Sequence, residues 1–102
     1  MVEQIILYNL ADNVTDEEYK NYVVNEKGPL IESLSTVTKY ELFKVTKSET
    51  GELPYKYVGI AHLTSLEEFN EKDAPSEKFQ GFLKKWVPMT SGFHILDADR
   101  VY

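Results

Sequence analysis

The chain opens on a run with almost no polar interruption. Between residues 2 and 10, Ile5, Ile6, Leu7, Tyr8 and Leu10 leave no continuous wet face. That pattern predicts a central strand covered on both sides. Asp12-Asn13 breaks it. Thr15 is placed to cap a helix, with Glu18 completing a capping box and Val14 set to staple against Tyr19. Tyr19, Tyr22 and Val23 mark the inward side of this helix. Lys27-Gly28-Pro29 reads as an interruption, after which a short helix from Pro29 buries Leu30, Ile31 and Leu34. Residues 38 to 47 alternate, with Tyr40 and Leu42 on one face and Lys39, Glu41, Phe43 and Val45 on the other, which predicts an edge strand. A polar connection over 48–54 leads to a strand over 55–63. Its faces carry Tyr55, Tyr57, Gly59, Ala61 and Leu63 on one side, and Val58, Ile60 and His62 on the other. Thr64 or Ser65 caps a second main helix with Leu66 and Phe69 inward. Asp73-Ala74-Pro75 interrupts it, and Ser76 caps a further segment carrying Phe79, Phe82, Leu83 and Trp86. After a loop at 88–92, the last strand covers 93–102, with Phe93 and Ile95 opposed to His94 and Leu96. A bend or bulge is expected at Asp97-Ala98-Asp99.

The predicted order is β-α-β-β-α-β, spread over a single domain, residues 1–102. It points to an α+β, split βαβ, ferredoxin-like fold: two helical layers on one face of a four-stranded antiparallel sheet. Several strands are apolar on both sides, so a lone subunit leaves a large apolar patch in water. The expected solution is a two-fold homodimer through the open sheet face, a dimeric α+β barrel.

Composition narrows the function. With 102 residues, 42% hydrophobic and 27% charged, the chain suits one globular domain and not a disordered segment. A net charge of −6 argues against nucleic acid or an anionic membrane as partner. No apolar stretch approaches a membrane span, and MVEQIILYNL lacks the basic start of a secretion signal, so a cytoplasmic location is expected. The chain has no cysteine, which removes thiolate catalysis, disulfides and Cys-ligated metals.

No phosphate-cradling glycine motif and no nucleophile elbow is present, and the two histidines share no metal-ligand spacing. Neither a metal nor a cofactor is expected. Chemistry is therefore sought in a hollow between the helices and the sheet, near the strand ends. His62 and His94 are the candidate proton carriers. Tyr8, Tyr19, Tyr22, Tyr40 and Tyr57, with Asn9 and Trp86, are the candidate lining for a flat, partly polar aromatic ligand. Packing alone accounts for the same residues: satisfied core or interface histidines, and aromatics serving strand propensity and the dimer. Gly59 and Ala61 leave space above the sheet, for a close helix or for a ligand.

Gly28-Pro29-Leu30-Ile31-Glu32-Ser33-Leu34, followed by Val37 and Tyr40, is similar to the helix-to-strand segment of the EthD-like dimeric α+β barrels. More closely, IILYNLADNVTDEEYKNYVVNEKGPLIESL, YKYVGIAHLTSLEEF and FHILDADRVY resemble the REDY-like proteins of prodiginine pigment biosynthesis, over nearly the whole chain. The resemblance implies a homodimeric barrel acting in the branch that makes the bipyrrole aldehyde half of a tripyrrole pigment. It implies a small accessory enzyme or binding protein for a pyrrole-type intermediate. The alternatives are a non-catalytic partner of another biosynthetic enzyme, and a cofactor-free monooxygenase or cyclase. Some EthD-like members place a histidine just before the Gly-Pro-Leu stretch; here that position is Lys27, a departure that weakens any transfer of histidine chemistry to this helix.

Overall fold

The computed structural model describes residues 2–102. Four strands form one antiparallel sheet in the order β2-β3-β1-β4. β1 (Val2–Leu10) lies inside the sheet, between β3 (Tyr57–Leu63) and β4 (Thr90–Asp99), while β2 (Val37–Lys44) is an edge. The register follows the hydrophobic alternation. Ile6 stands opposite Gly59 and Ile95, and Tyr8 opposite Tyr57, all on the face that the helices cover. The expected irregularity at Asp97–Asp99 is absent, because Asp97, Ala98 and Asp99 pair in step with Gln4, Glu3 and Val2. The bulge lies instead between the pairs Leu7–His94 and Asn9–Ser91, where β4 spends an extra residue. Gly92 takes a φ of +61° there, a conformation that favours glycine. β4 accordingly starts at Thr90, before the expected 93, and stops at Asp99 rather than 102.

The first helical layer begins as expected. Thr15 Oγ accepts from the Glu18 N–H at 3.1 Å and donates to the Glu18 carboxylate at 3.0 Å. The interruption expected at Lys27-Gly28-Pro29 does not occur. α1 (Asp16–Tyr22) runs through a π-helical turn (Val23–Lys27) directly into α2 (Gly28–Glu32). The Gly28 N–H donates to Val23 O, one residue further back than in an α-helix. Pro29 gives the reason: it has no N–H to donate, and in a regular helix its ring would press on the carbonyl four residues back. Glycine is required beside it, since a Cβ on Gly28 would lie 2.9 Å from Val23 O.

The second layer repeats the device. Ser65 caps α3 (Leu66–Glu68), which widens into a π-helical turn (Phe69–Asp73) closed by the Ala74 N–H on Phe69 O at 2.8 Å. Here the chain does leave the helix, and Ser76 caps α4 (Glu77–Trp86). Lys27 and Asp73 thus hold equivalent places, each the last residue of its wide turn and two before a proline. Both are buried, at 4% and 7% exposure.

Asp73 is a structural anchor. One carboxylate oxygen accepts the Thr36 N–H at 2.8 Å and the Thr36 hydroxyl at 2.5 Å, and Ser35 Oγ also reaches the carboxylate. Burial pushes this carboxyl up, and the hydrogen bonds from Thr36 and Ser35 overcome it, holding it below the usual range. Asp73 thereby fixes the entry to β2. The core between sheet and helices is aromatic: Tyr8 and Tyr19 are wholly enclosed, with Tyr57, Phe69, Phe82 and Trp86 around them. On the opposite face no element among the described residues covers the sheet, and Phe43 and Leu96 stand about half exposed, at 51% and 49%.

Candidate functional site

A cavity of about 70 Å³ lies between the sheet and the helices. β1 supplies Tyr8, β2 supplies Tyr40, β3 supplies Ala61, and α4 supplies Phe82 and Trp86. The wall is almost wholly hydrocarbon and aromatic. Among the described residues it holds no carboxylate, and Lys27 is its one charged group.

Lys27 sits in a cage. Its Nζ donates to Tyr8 Oη at 3.0 Å and to Tyr19 Oη at 2.9 Å. The rings of Tyr8 and Trp86 lie 5.0 Å from Nζ, and those of Tyr19 and Tyr40 lie 5.5 Å away. Tyr8 Oη and Tyr19 Oη are 2.5 Å apart, and Trp86 Nε1 donates to Tyr19 Oη at 2.9 Å. Among the described residues no carboxylate forms an ion pair with Lys27. Burial therefore lowers its ammonium to about 7. The ring faces and phenol oxygens favour the charged form and oppose burial without outweighing it. Burial also pushes the phenols of Tyr8 and Tyr40 well above their ordinary value and raises that of Tyr19 against the hydrogen bonds from Tyr8 and Trp86, so they stay protonated at neutral pH. The arrangement is a titratable amine, two phenols that can pass a hydrogen, and a dry apolar space beside them.

Four of the residues expected to form a site converge here: Tyr8, Tyr19, Tyr40 and Trp86. Tyr57 stacks on Tyr8 at 5.5 Å, but its hydroxyl donates to Asp16 Oδ1 at 2.6 Å, away from the cavity. Tyr22 packs on Tyr19 behind the wall, and burial pushes its phenol up to about 12. Asn9 is spent as a staple, its amide donating to Pro54 O and accepting the Lys56 N–H, both at 2.9 Å.

The histidines do not work in this hollow. Strand alternation puts both on the uncovered sheet face. His62 Nε2 meets Glu41 Oε1 at 2.8 Å, with Glu3 Oε1 3.8 Å from Nδ1. His94 stands edge-on to Tyr55, the ring centres 5.5 Å apart. His62 on β3 pairs with Glu3 and His94 on β4 with Leu7, four positions apart along β1 and on opposite sides of it, so they lie roughly 16 Å from one another. The space expected above Gly59 is also taken: a Cβ there would meet Tyr40 Oη at 3.5 Å and Leu42 Cδ1 at 3.7 Å. The remaining space lies over Ala61.

Sequence reasoning treated Lys27 only as a lost histidine, although it placed Tyr40 among the tyrosines of the lining. A signal was present: Val23, Lys27 and Ile31 recur every four residues on the inward stripe of the helix, which places a lysine where an apolar residue belongs. Among the described residues no group of three or more His, Asp or Glu could hold a metal ion, and no helix is long and apolar enough to cross a membrane.

The sheet order, the helices on one face and a cavity between the layers define a ferredoxin-like α+β protein. The chain belongs to the family of REDY-like protein HapK, whose model matches residues 2–101. The crystal structure of HapK from Hahella chejuensis superposes with a TM-score of 0.78 at 21% identity, over 97% of this chain and 92% of that one. Protein At3g17210 from Arabidopsis thaliana superposes with a TM-score of 0.85 at 15% identity, over 100% and 97%. A dimeric ferredoxin-like protein of unknown function from Thermobifida fusca does so with a TM-score of 0.74 at 16% identity, over 95% and 88%. No curated protein matches in sequence.

Proposed function

We propose that this protein is a small accessory protein of a biosynthetic pathway, of the prodiginine type that the family resemblance implies. It binds an aromatic, pyrrole-type intermediate between the helices and the sheet, using its own residues alone. The carrying observation is the cavity that ends on Lys27, Tyr8 and Trp86. An apolar wall with a few convergent polar groups suits a flat ring bearing one oxygen function. Size sets a limit. About 70 Å³ is far below the roughly 300–1,000 Å³ of sites for drug-sized ligands. The cavity in this shape suits one ring. A bipyrrole requires the partly buried Phe79 and Leu83 of α4 to give way.

The histidines fit a different part of the reading. The half-exposed Phe43 and Leu96 share the uncovered face with His62 and His94, and this face is the proposed homodimer surface. It is the same surface that a non-catalytic partner of another biosynthetic enzyme would use.

Trp86 is the one tryptophan of the chain and stands in the cavity wall, so its fluorescence tests the reading directly. Titration with pyrrole-2-carboxaldehyde, and separately with the methoxy-bipyrrole aldehyde, should change it saturably. Ala61→Leu, which fills the space, should abolish the change. No response from the wild type up to millimolar ligand would overturn the pocket and leave the partner reading.

A further inference from the structure

We propose that Lys27 is a nucleophile that captures a small aldehyde as an imine inside the cavity. The inference rests on the binding reading above and deepens it, naming the substrate class and the reacting atom.

A lysine reacts with a carbonyl only as the neutral amine, and three features favour that form here. The cavity wall offers Lys27 no carboxylate to hold its charge. The titratable groups facing it from every packed element are phenols: Tyr8 from β1, Tyr19 from α1 and Tyr40 from β2, while α4 contributes the neutral Trp86. The hydrogen count also closes for the amine. Tyr19 Oη accepts from Trp86 Nε1 and from Nζ, which leaves its own hydrogen for Tyr8 Oη. A neutral Nζ can then take the Tyr8 hydrogen on its lone pair, across the same 3.0 Å contact in which an ammonium donates. With an ammonium in the same place, Tyr8 Oη would accept from both neighbours and its hydrogen would have no partner among these contacts.

The step balances without a co-reactant. The Nζ lone pair attacks the aldehyde carbon as Tyr8 moves its hydrogen bond from Nζ to the carbonyl oxygen. A proton passes from nitrogen to that oxygen through Tyr8, giving the carbinolamine. Tyr8 protonates the carbinolamine hydroxyl, which leaves as water while the C=N bond forms. The proton released from nitrogen returns to Tyr8. One aldehyde and one amine become one imine and one water. The apolar wall disfavours the returning water. The volume restricts the aldehyde to one carried on a single ring, and the four rings around Nζ provide stacking faces.

The test is reductive trapping. The full-length protein is incubated with pyrrole-2-carboxaldehyde and sodium cyanoborohydride from pH 6 to 9.5, followed by intact mass and peptide mapping. One adduct, mapped to the peptide holding Lys27, is expected. Its rate should rise to a plateau just above pH 7, while the exposed lysines label only slowly. Lys27→Met, checked for native circular dichroism, should lose that adduct and keep the slow background. The mapping on wild type stands even where the variant misfolds. Labelling spread over surface lysines with Lys27 untouched overturns the proposal. If Trp86 still responds saturably while Lys27 stays unlabelled, covalent capture fails and binding survives; if neither occurs, both readings fail.

Discussion

Lys27→Met should remove a pH dependence from folding that the wild type carries. The folded ammonium is lowered from 10.5 to about 7, and at 1.36 kcal/mol per unit the full linkage is about 5 kcal/mol. The sign follows from proton binding. Between these values the unfolded chain keeps the proton and the folded chain gives it up, so stability rises with pH through that window and is lost as pH falls towards 7. Above pH 10 the sign reverses, because Tyr8 and Tyr40 stay protonated in the fold but ionise in the unfolded chain, and the raised phenol of Tyr19 acts in the same direction. The usable range is therefore pH 6 to 9.5, over which Lys27 alone should add about 3 kcal/mol. Met fills a similar length with no charge; Tyr8 and Tyr19 keep each other and Trp86, and the Tyr8 hydrogen that loses Nζ is a cost that does not vary with pH over this range, so it offsets the difference without changing its slope. Urea unfolding followed by Trp86 fluorescence, at fixed protein concentration because association shifts the midpoint, measures both proteins. The wild type should be less stable than Lys27→Met at pH 6, and the difference should close by about 3 kcal/mol at pH 9.5. A difference that stays flat across the range would refute the claim that the fold lowers this amine.

Tyr19→Phe removes the acceptor shared by Trp86 Nε1 and Lys27 Nζ; it should cost about 1–3 kcal/mol, read as a lower urea midpoint at unchanged slope. Gly28→Ala forces a Cβ against Val23 O and should cost about 1–3 kcal/mol by the same assay, whereas a neutral result would show that the wide turn relaxes freely. Leu96→Asp alters a half-exposed side chain and should leave the single fold intact, yet it buries a charge in a sheet-to-sheet dimer; light scattering should report half the wild-type mass, and an unchanged mass would remove the open face as the dimer surface.

The elements were legible wherever one period dominated. The apolar run of β1 and the caps at Thr15, Ser65 and Ser76 stand where the pattern put them, and the alternation of β3 holds from Tyr57, two residues after the expected start at 55. What the pattern hid was the fate of the two prolines. Breaker residues signal that an α-helix cannot continue, and they do not say whether the chain leaves the helix or widens it. At Ala74–Ser76 it leaves; at Gly28 it widens, because glycine tolerates the close Val23 carbonyl. That misreading concealed the site. A broken helix gives Lys27 to solvent, whereas a continuous one carries it onto the inward stripe beneath Tyr8 and Tyr19. His62 and His94 were placed on their sheet face correctly by alternation, but residue type drew attention to them although the hollow lies on the other side.

The wide turns make chain length itself part of the specification. Each one holds an additional residue relative to a regular helix, and the wider loop absorbs it so that the flanking turns keep their phase. Deleting one position between Val23 and Lys27 would close the turn to a regular helix with Tyr19 and Ile31 still inward. It would also set Pro29 in a regular helix interior, where its ring meets the carbonyl four residues back. Between Phe69 and Asp73 the same deletion would shorten the path that carries Asp73 to its clasp on Thr36. The extra residue is therefore what reconciles a continuous helix with the proline after it. The permissive place for insertions and deletions is the exposed connection over 48–54, where the backbone pairs with no strand. The protein therefore reads its helices by count as well as by residue type.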